Sequence, residues 1–177
     1  MAKVDSPGVE RRLIVKGRLH EVRCAIRSDW SCPAGEFLDL LKNGMWEPDP
    51  DAEKLPDDEQ IRDRDWFLAA IKYWANEGEP IYSRAVNDLN DGVWEFKRGG
   101  KRLSFFDTDG IGGFEMKLRI ENHAEAEFPD SEHWRIPGFD EQIRLGHAFP
   151  KLGELTSAED LGDSDVVREE DLAHDRS

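Results

Sequence analysis

The sequence predicts an α+β fold on three observations: a Gly-Gly hairpin between aromatic arms, three further segments that alternate apolar and polar residues, and two apolar stripes at helical spacing. The hairpin lies within Asp91 to Gly110. Val93-Trp94-Glu95-Phe96 and Leu103-Ser104-Phe105-Phe106 form its arms, and Lys97, Arg98, Gly99, Gly100, Lys101 and Arg102 form its turn. The glycines supply the positive φ that a tight turn requires. Four cations stand there with no acid among them, and a solvated turn explains any one of them.

In chain order, residues 1–18 carry Lys3, Arg11, Arg12, Lys16 and Arg18 and read as a basic arm, or as a short added strand at Arg12 to Val15. His20 to Arg27 alternates, with Val22, Cys24 and Ile26 on one face, as a half-buried strand does. Pro33 sets a first helical turn after Ser31 or Cys32, and the helix runs through Phe37, Leu38, Leu40 and Leu41 to Lys42, ended by Asn43-Gly44. Trp46 to Asp58 holds three prolines among acids and reads as a loop. Ile61, Phe67, Leu68, Ile71 and Trp74 then recur at helical spacing, predicting a long helix near 59–76 that stops at Asn76-Glu77-Gly78. After the hairpin, Phe114, Met116, Leu118 and Ile120 alternate with charged residues, as a continued sheet or as part of an insertion. A last strand at 142–150 places Ile143, Leu145, His147 and Phe149 on alternate positions. Beyond Thr156 two short helices or a disordered acidic tail are equally compatible with the composition.

The chain has 177 residues, enough for one domain of about 19–153 with appendages, and its 38% apolar and 36% charged content fits a globular body with much solvated surface. No apolar run reaches membrane-span length and the first residues lack a signal peptide's apolar block, so a cytoplasmic location is expected. In that reducing setting Cys24 and Cys32 are expected as buried thiols rather than a disulfide. The net charge of −15 is unevenly spread: Pro48 to Asp65 has eight acids against three bases, Glu121 to Glu141 seven against one, and Glu154 to Ser177 nine against two. Those acidic stretches read as loops or mobile segments outside the body, which is left mildly basic. Overall charge argues against a nucleic-acid partner, whereas its distribution leaves one open.

Four stretches in order resemble the RelE/HigB-type toxin superfamily of small ribosome-associated ribonucleases, in its phage-derived Gp49-like branch. They are Cys32-Pro33-Ala34-Gly35-Glu36-Phe37-Leu38-Asp39-Leu40-Leu41, Asn90-Asp91-Gly92-Val93-Trp94-Glu95-Phe96, Arg102-Leu103-Ser104-Phe105-Phe106-Asp107, and Leu145-Gly146-His147-Ala148-Phe149-Pro150-Lys151. The resemblance implies a small twisted, mostly antiparallel sheet with two N-terminal helices packed on it, here with an acidic insertion at about 111–141 and an acidic tail over 154–177. It implies a basic face that takes messenger RNA on the ribosome, and a separate antitoxin protein as partner, with no direct DNA contact. Cleavage by the RNA's own 2′-hydroxyl needs a proton acceptor, cations on the phosphate and a proton for the leaving oxygen. On the matching positions Arg102 and Lys151 would contact phosphate and His147 would carry the proton, its ordinary pKa lying nearest neutrality. Lys97, Arg98 and Lys101 would bind RNA alongside.

The same alternation admits His147 as a purely structural, hydrogen-bonded residue, and Trp94 and Phe96 read as core. No His, Cys or acidic spacing matches a metal-ligand set, so neither metal nor cofactor is expected. The chain departs from the branch where Leu152, Gly153, Glu154 and Leu155 replace a basic run, and in the long segment 111–141. A second reading therefore stands beside the nuclease: a non-catalytic relative that binds protein through its acidic insertion and tail.

Overall fold

The computed structural model describes residues 9–47, 57–151 and 153–176. In chain order these form β1 (Leu13–Lys16), β2 (Glu21–Cys24), α1 (Pro33–Lys42), α2 (Asp58–Glu77), β3 (Val86–Asn90), β4 (Val93–Arg98), β5 (Lys101–Thr108), β6 (Gln142–Pro150) and α3 (Ala158–Arg176). The strands make one sheet in the order β1-β2-β6-β5-β4-β3, in which β2 and β6 run parallel and every other pair antiparallel.

This corrects the expected architecture. The sheet has six strands and is mixed, because the β2–β6 pair is parallel while the other pairs are antiparallel, and a third helix at the C-terminus joins the two that precede the hairpin. The β4–β5 hairpin itself has the expected register: Arg98 opposes Lys101 across Gly99-Gly100, and Gly99 has φ 54°. β3 is added through a second tight turn at Asp91-Gly92, where both residues take positive φ (49° and 82°), the conformation that hairpin turns of this dipeptide use.

Alternation along β4 and β5 sorts side chains onto two faces. Trp94, Phe96, Leu103 and Phe105 face α1 and α2, where Phe37, Leu38, Leu41, Phe67, Ile71 and Trp74 complete a buried cluster. Trp74 lies at its centre, 5.2 Å from Phe105 and 6.1 Å from Phe96, each edge-on. Val93 and Phe106 face the other way and are covered by Val167 and Leu172 of α3.

The stretch expected as an acidic tail is thus a structural layer. Ser157 opens α3 as its hydroxyl accepts the Asp160 N–H at 3.1 Å. Its apolar residues are few, and a buried ionic network anchors it instead. Asp171, fully buried, accepts from Arg11 and Arg144 at 2.7 Å each and from the Ile26 N–H at 2.9 Å. Asp175 adds contacts of 2.9 Å to Arg11 and 3.2 Å to Arg144. Periodicity could not reveal a helix held mainly by charge.

Two other expected excursions also belong to the body. The acids at 57–65 are the cap and first turns of α2, with Asp63 only 5% exposed, while residues 48–56 lie outside the described residues. Residues 111–141 are irregular apart from a single turn of tight helix at His123–Glu125. The alternation at Phe114 to Ile120 makes no strand: the Lys117 carbonyl accepts from the Trp94 indole at 2.7 Å, and the Ile120 N–H donates to Arg135. Of the expected basic arm, residues 13–16 form edge strand β1 and Arg11 is buried against α3; residues 1–8 lie outside the described residues.

Candidate functional site

The face covered by α3 collects most of the expected site residues. Lys97 on β4 opposes Arg102 on β5, which opposes Phe149 on β6, so these three form a row across adjacent strands. One step along, Glu95 opposes Ser104. There the β5–β6 register shifts, and Gly146 and His147 together face Ser104, whose hydroxyl accepts the His147 N–H at 2.8 Å. Such a bulge re-aims a side chain. His147 ends stacked on Phe149, with ring centroids 5.3 Å apart and planes 16° from parallel. Lys151 follows β6 and is fastened by its N–H to the Gly100 carbonyl at 2.7 Å.

Arg98 and Lys101 fall on the opposite face. Both bind Asp63 of α2, at 3.2 and 2.7 Å, and Arg98 lies over the Trp66 ring at 5.4 Å. They tie the hairpin to α2 and stand apart from Lys97, Arg102 and His147.

Each member of the row has a specific environment. The Arg102 guanidinium donates to the Gly99 and Lys101 carbonyls at 2.6 and 2.9 Å, closing its own turn, and its Nε lies 3.7 Å from Glu95. Burial pulls the Lys97 ammonium below its usual range, and the neighbouring Arg102 charge pulls it further. Glu95 is fully buried, and among the described residues neither of its carboxylate oxygens has a partner at ordinary hydrogen-bond geometry. Burial pushes its carboxyl up; Arg102, the Asn87 side chain, Lys151 and Lys97 act against that rise without cancelling it. Strand alternation thus sets a buried carboxyl on the same face as Lys97 and Arg102.

His147 meets α3. Its Nε2 lies 2.9 Å from Asp160 and 3.9 Å from Asp163, so Asp160 orients the imidazole and leaves Nδ1 to exchange a proton. One donor atom from each of His147, Asp160 and Asp163 lies within 4.8 Å of the others, a set able to hold a metal ion. Sequence spacing did not reveal this set, because one ligand comes from β6 and two from the first turns of α3. Glu95 was also missed as a site residue, although its alternation with Val93 and Lys97 placed a carboxylate on the cationic face.

Among the described residues no helix is long and apolar enough to cross a membrane. No family model, curated protein or solved structure matches the chain.

Proposed function

We propose that the chain is a toxin-like endoribonuclease that cleaves messenger RNA through its 2′-hydroxyl, with no metal in the chemical step. The supporting observation is the order of side chains over three neighbouring strands: His147 on β6, Arg102 on β5 and Lys97 on β4, on one face with Arg102 between. From Lys97 to the Phe149 position is two strand spacings, roughly 10 Å, and His147 stands two residues further along β6, so a phosphate beside Arg102 would have a proton acceptor on one side and a proton donor on the other. His147 Nδ1 takes the 2′-hydroxyl proton as the 2′-oxygen bonds to phosphorus. Arg102 and Lys151 balance charge on the non-bridging oxygens. Lys97, already pulled toward releasing its proton, protonates the 5′-oxygen as its bond to phosphorus breaks. The products are a 2′,3′-cyclic phosphate and a 5′-hydroxyl. The four stretches that resemble the toxin superfamily support the same reading and add the ribosome and an inhibiting antitoxin protein as partners.

The test is growth on induced expression. Wild type should arrest growth, Arg102→Ala and His147→Ala should each relieve the arrest at unchanged protein level, and Arg98→Ala, on the other face, should not. Toxicity intact in both of the first two variants would reject the site. A wild type with no effect on growth and no cleavage of RNA would favour the non-catalytic, protein-binding reading.

A further inference from the structure

His147 on β6 meets Asp160 and Asp163 in the first turns of α3, and the three side chains bring their donor atoms together. The imidazole Nε2 lies 2.9 Å from an Asp160 oxygen and 3.9 Å from an Asp163 oxygen, and all three atoms fall within 4.8 Å of one another. Two of the three are held from outside the set. His147 is stacked on Phe149, and its backbone N–H is bound to the Ser104 hydroxyl. The Ser157 hydroxyl donates to Asp160 Oδ2 at 2.8 Å, which leaves Oδ1 toward the imidazole. Asp163 follows three residues later on the helix and so stands on the same side as Asp160. The side chains are 19%, 23% and 47% exposed, so an ion can reach them from solvent.

We propose that His147, Asp160 and Asp163 bind one divalent transition-metal ion of the zinc kind, with its remaining position open to water. Zinc takes imidazole nitrogen and carboxylate oxygen at about 2.0–2.2 Å, so two of its ligands at the tetrahedral angle stand roughly 3.3–3.5 Å apart. The separations of 2.9 and 3.9 Å lie on either side of that value, and closing on an ion asks each to change by about half an ångström. The imidazole nitrogen selects against magnesium and calcium, which take oxygen ligands. The partial positive charge at the start of α3, about half an elementary charge, opposes a cation there, but two carboxylates outweigh it. A simple ion pair accounts for Asp160 beside the imidazole. It does not account for a second carboxylate converging on the same nitrogen while a hydroxyl holds the first in place. Occupancy ties β6 to α3 and opposes RNA cleavage, a consequence that rests on the nuclease reading. With the ion on Nε2 the single proton of the neutral ring sits on Nδ1, which then cannot accept one from a 2′-hydroxyl.

The experiment titrates the intact protein, first stripped with a chelator, with zinc chloride, and follows binding by calorimetry and by thermal melts. Wild type should bind a single ion per chain with a micromolar Kd and melt at higher temperature as zinc is added, whereas magnesium chloride should give neither effect. Asp163→Asn and His147→Ala should each bind at least tenfold more weakly; Asp163 is the most exposed of the three, so its variant should keep the wild-type Tm without metal. Cobalt(II) in place of zinc should give wild type the visible absorption of a tetrahedral site, and Asp163→Asn should lose it. Equal zinc affinity in wild type and both variants, or no binding by wild type at millimolar zinc, would overturn the proposal. Saturating zinc should lower wild-type RNA cleavage at least tenfold, and cleavage indifferent to bound zinc would overturn the silencing. A wild type that binds zinc through these residues and cleaves no RNA with or without it would support the site and refute the nuclease.

Discussion

Replacing Glu95 by Gln should make the protein more stable at neutral pH and alter its chemistry. The side chain is fully buried and its oxygens lack partners at ordinary hydrogen-bond geometry among the described residues, so folding carries a carboxyl group out of water with nearby cations and the Asn87 side chain to offset the cost. Its folded pKa lies above the ordinary 4.5. Its contribution is therefore most favourable below about pH 4.5 and is lost as pH rises through the folded value. An unsatisfied buried polar group costs ~1–3 kcal/mol, and the amide keeps part of that cost, so the variant should gain about 1–2 kcal/mol at pH 7. For a chain of this size that is a rise in Tm of roughly 2–8 °C. Thermal melts of both proteins from pH 3.5 to 8 should coincide at the acid end and separate as pH rises. The same change removes the charge that supports the Lys97 ammonium, so the alkaline limb of any RNA-cleavage profile should move to lower pH. A variant less stable than wild type at pH 7 would show that the Arg102 pairing at 3.7 Å outweighs desolvation, and the argument for a strained site would fail.

Two further outcomes follow from α3. Asp171→Ala leaves Arg11 and Arg144 buried with, among the described residues, the Asp175 carboxylate and the residue-171 carbonyl to answer them, so it should cost about 3–5 kcal/mol and detach α3, read as a lowered Tm and faster proteolysis after residue 151. Retention of both would show the network to be dispensable. Glu170 is drawn down to about 2 by hydrogen bonds from the Arg27 guanidinium and the Ser28 N–H, so its contribution is present above the ordinary 4.5 and lost as pH falls through about 2. Glu170→Gln should thus be the less stable protein at pH 7, with the gap closing near pH 2; a gap independent of pH would exclude that linkage.

The elements legible in the sequence were those built on hydrophobic pattern. Phe67, Ile71 and Trp74 announced α2, Cys24 and Val22 announced β2, and the Gly99-Gly100 turn fixed the register of β4 against β5. Polar side chains hid the rest. α3 carries more acid than apolar surface, and the partners that anchor it, Arg11 and Arg144, come from sequence positions 160 and 27 residues away. The parallel β2–β6 pair joins segments about as distant, and no local pattern encodes that pairing. At the site, the strand period puts Lys97 with Arg102 on one face and Arg98 with Lys101 on the other, where Asp63 of α2 binds both, which corrects the expectation that all four bind RNA together; no local pattern brings Asp160 to His147.

The nuclease reading stands on the chemistry of the cut ends. Purified wild type, incubated with messenger RNA and ribosomes, should yield fragments ending in 2′,3′-cyclic phosphate and 5′-hydroxyl, and His147→Ala should reduce cleavage by about 10²–10⁴-fold. Fragments with 5′-phosphate and 3′-hydroxyl ends would contradict the account and move the chemistry to an ion held by His147, Asp160 and Asp163.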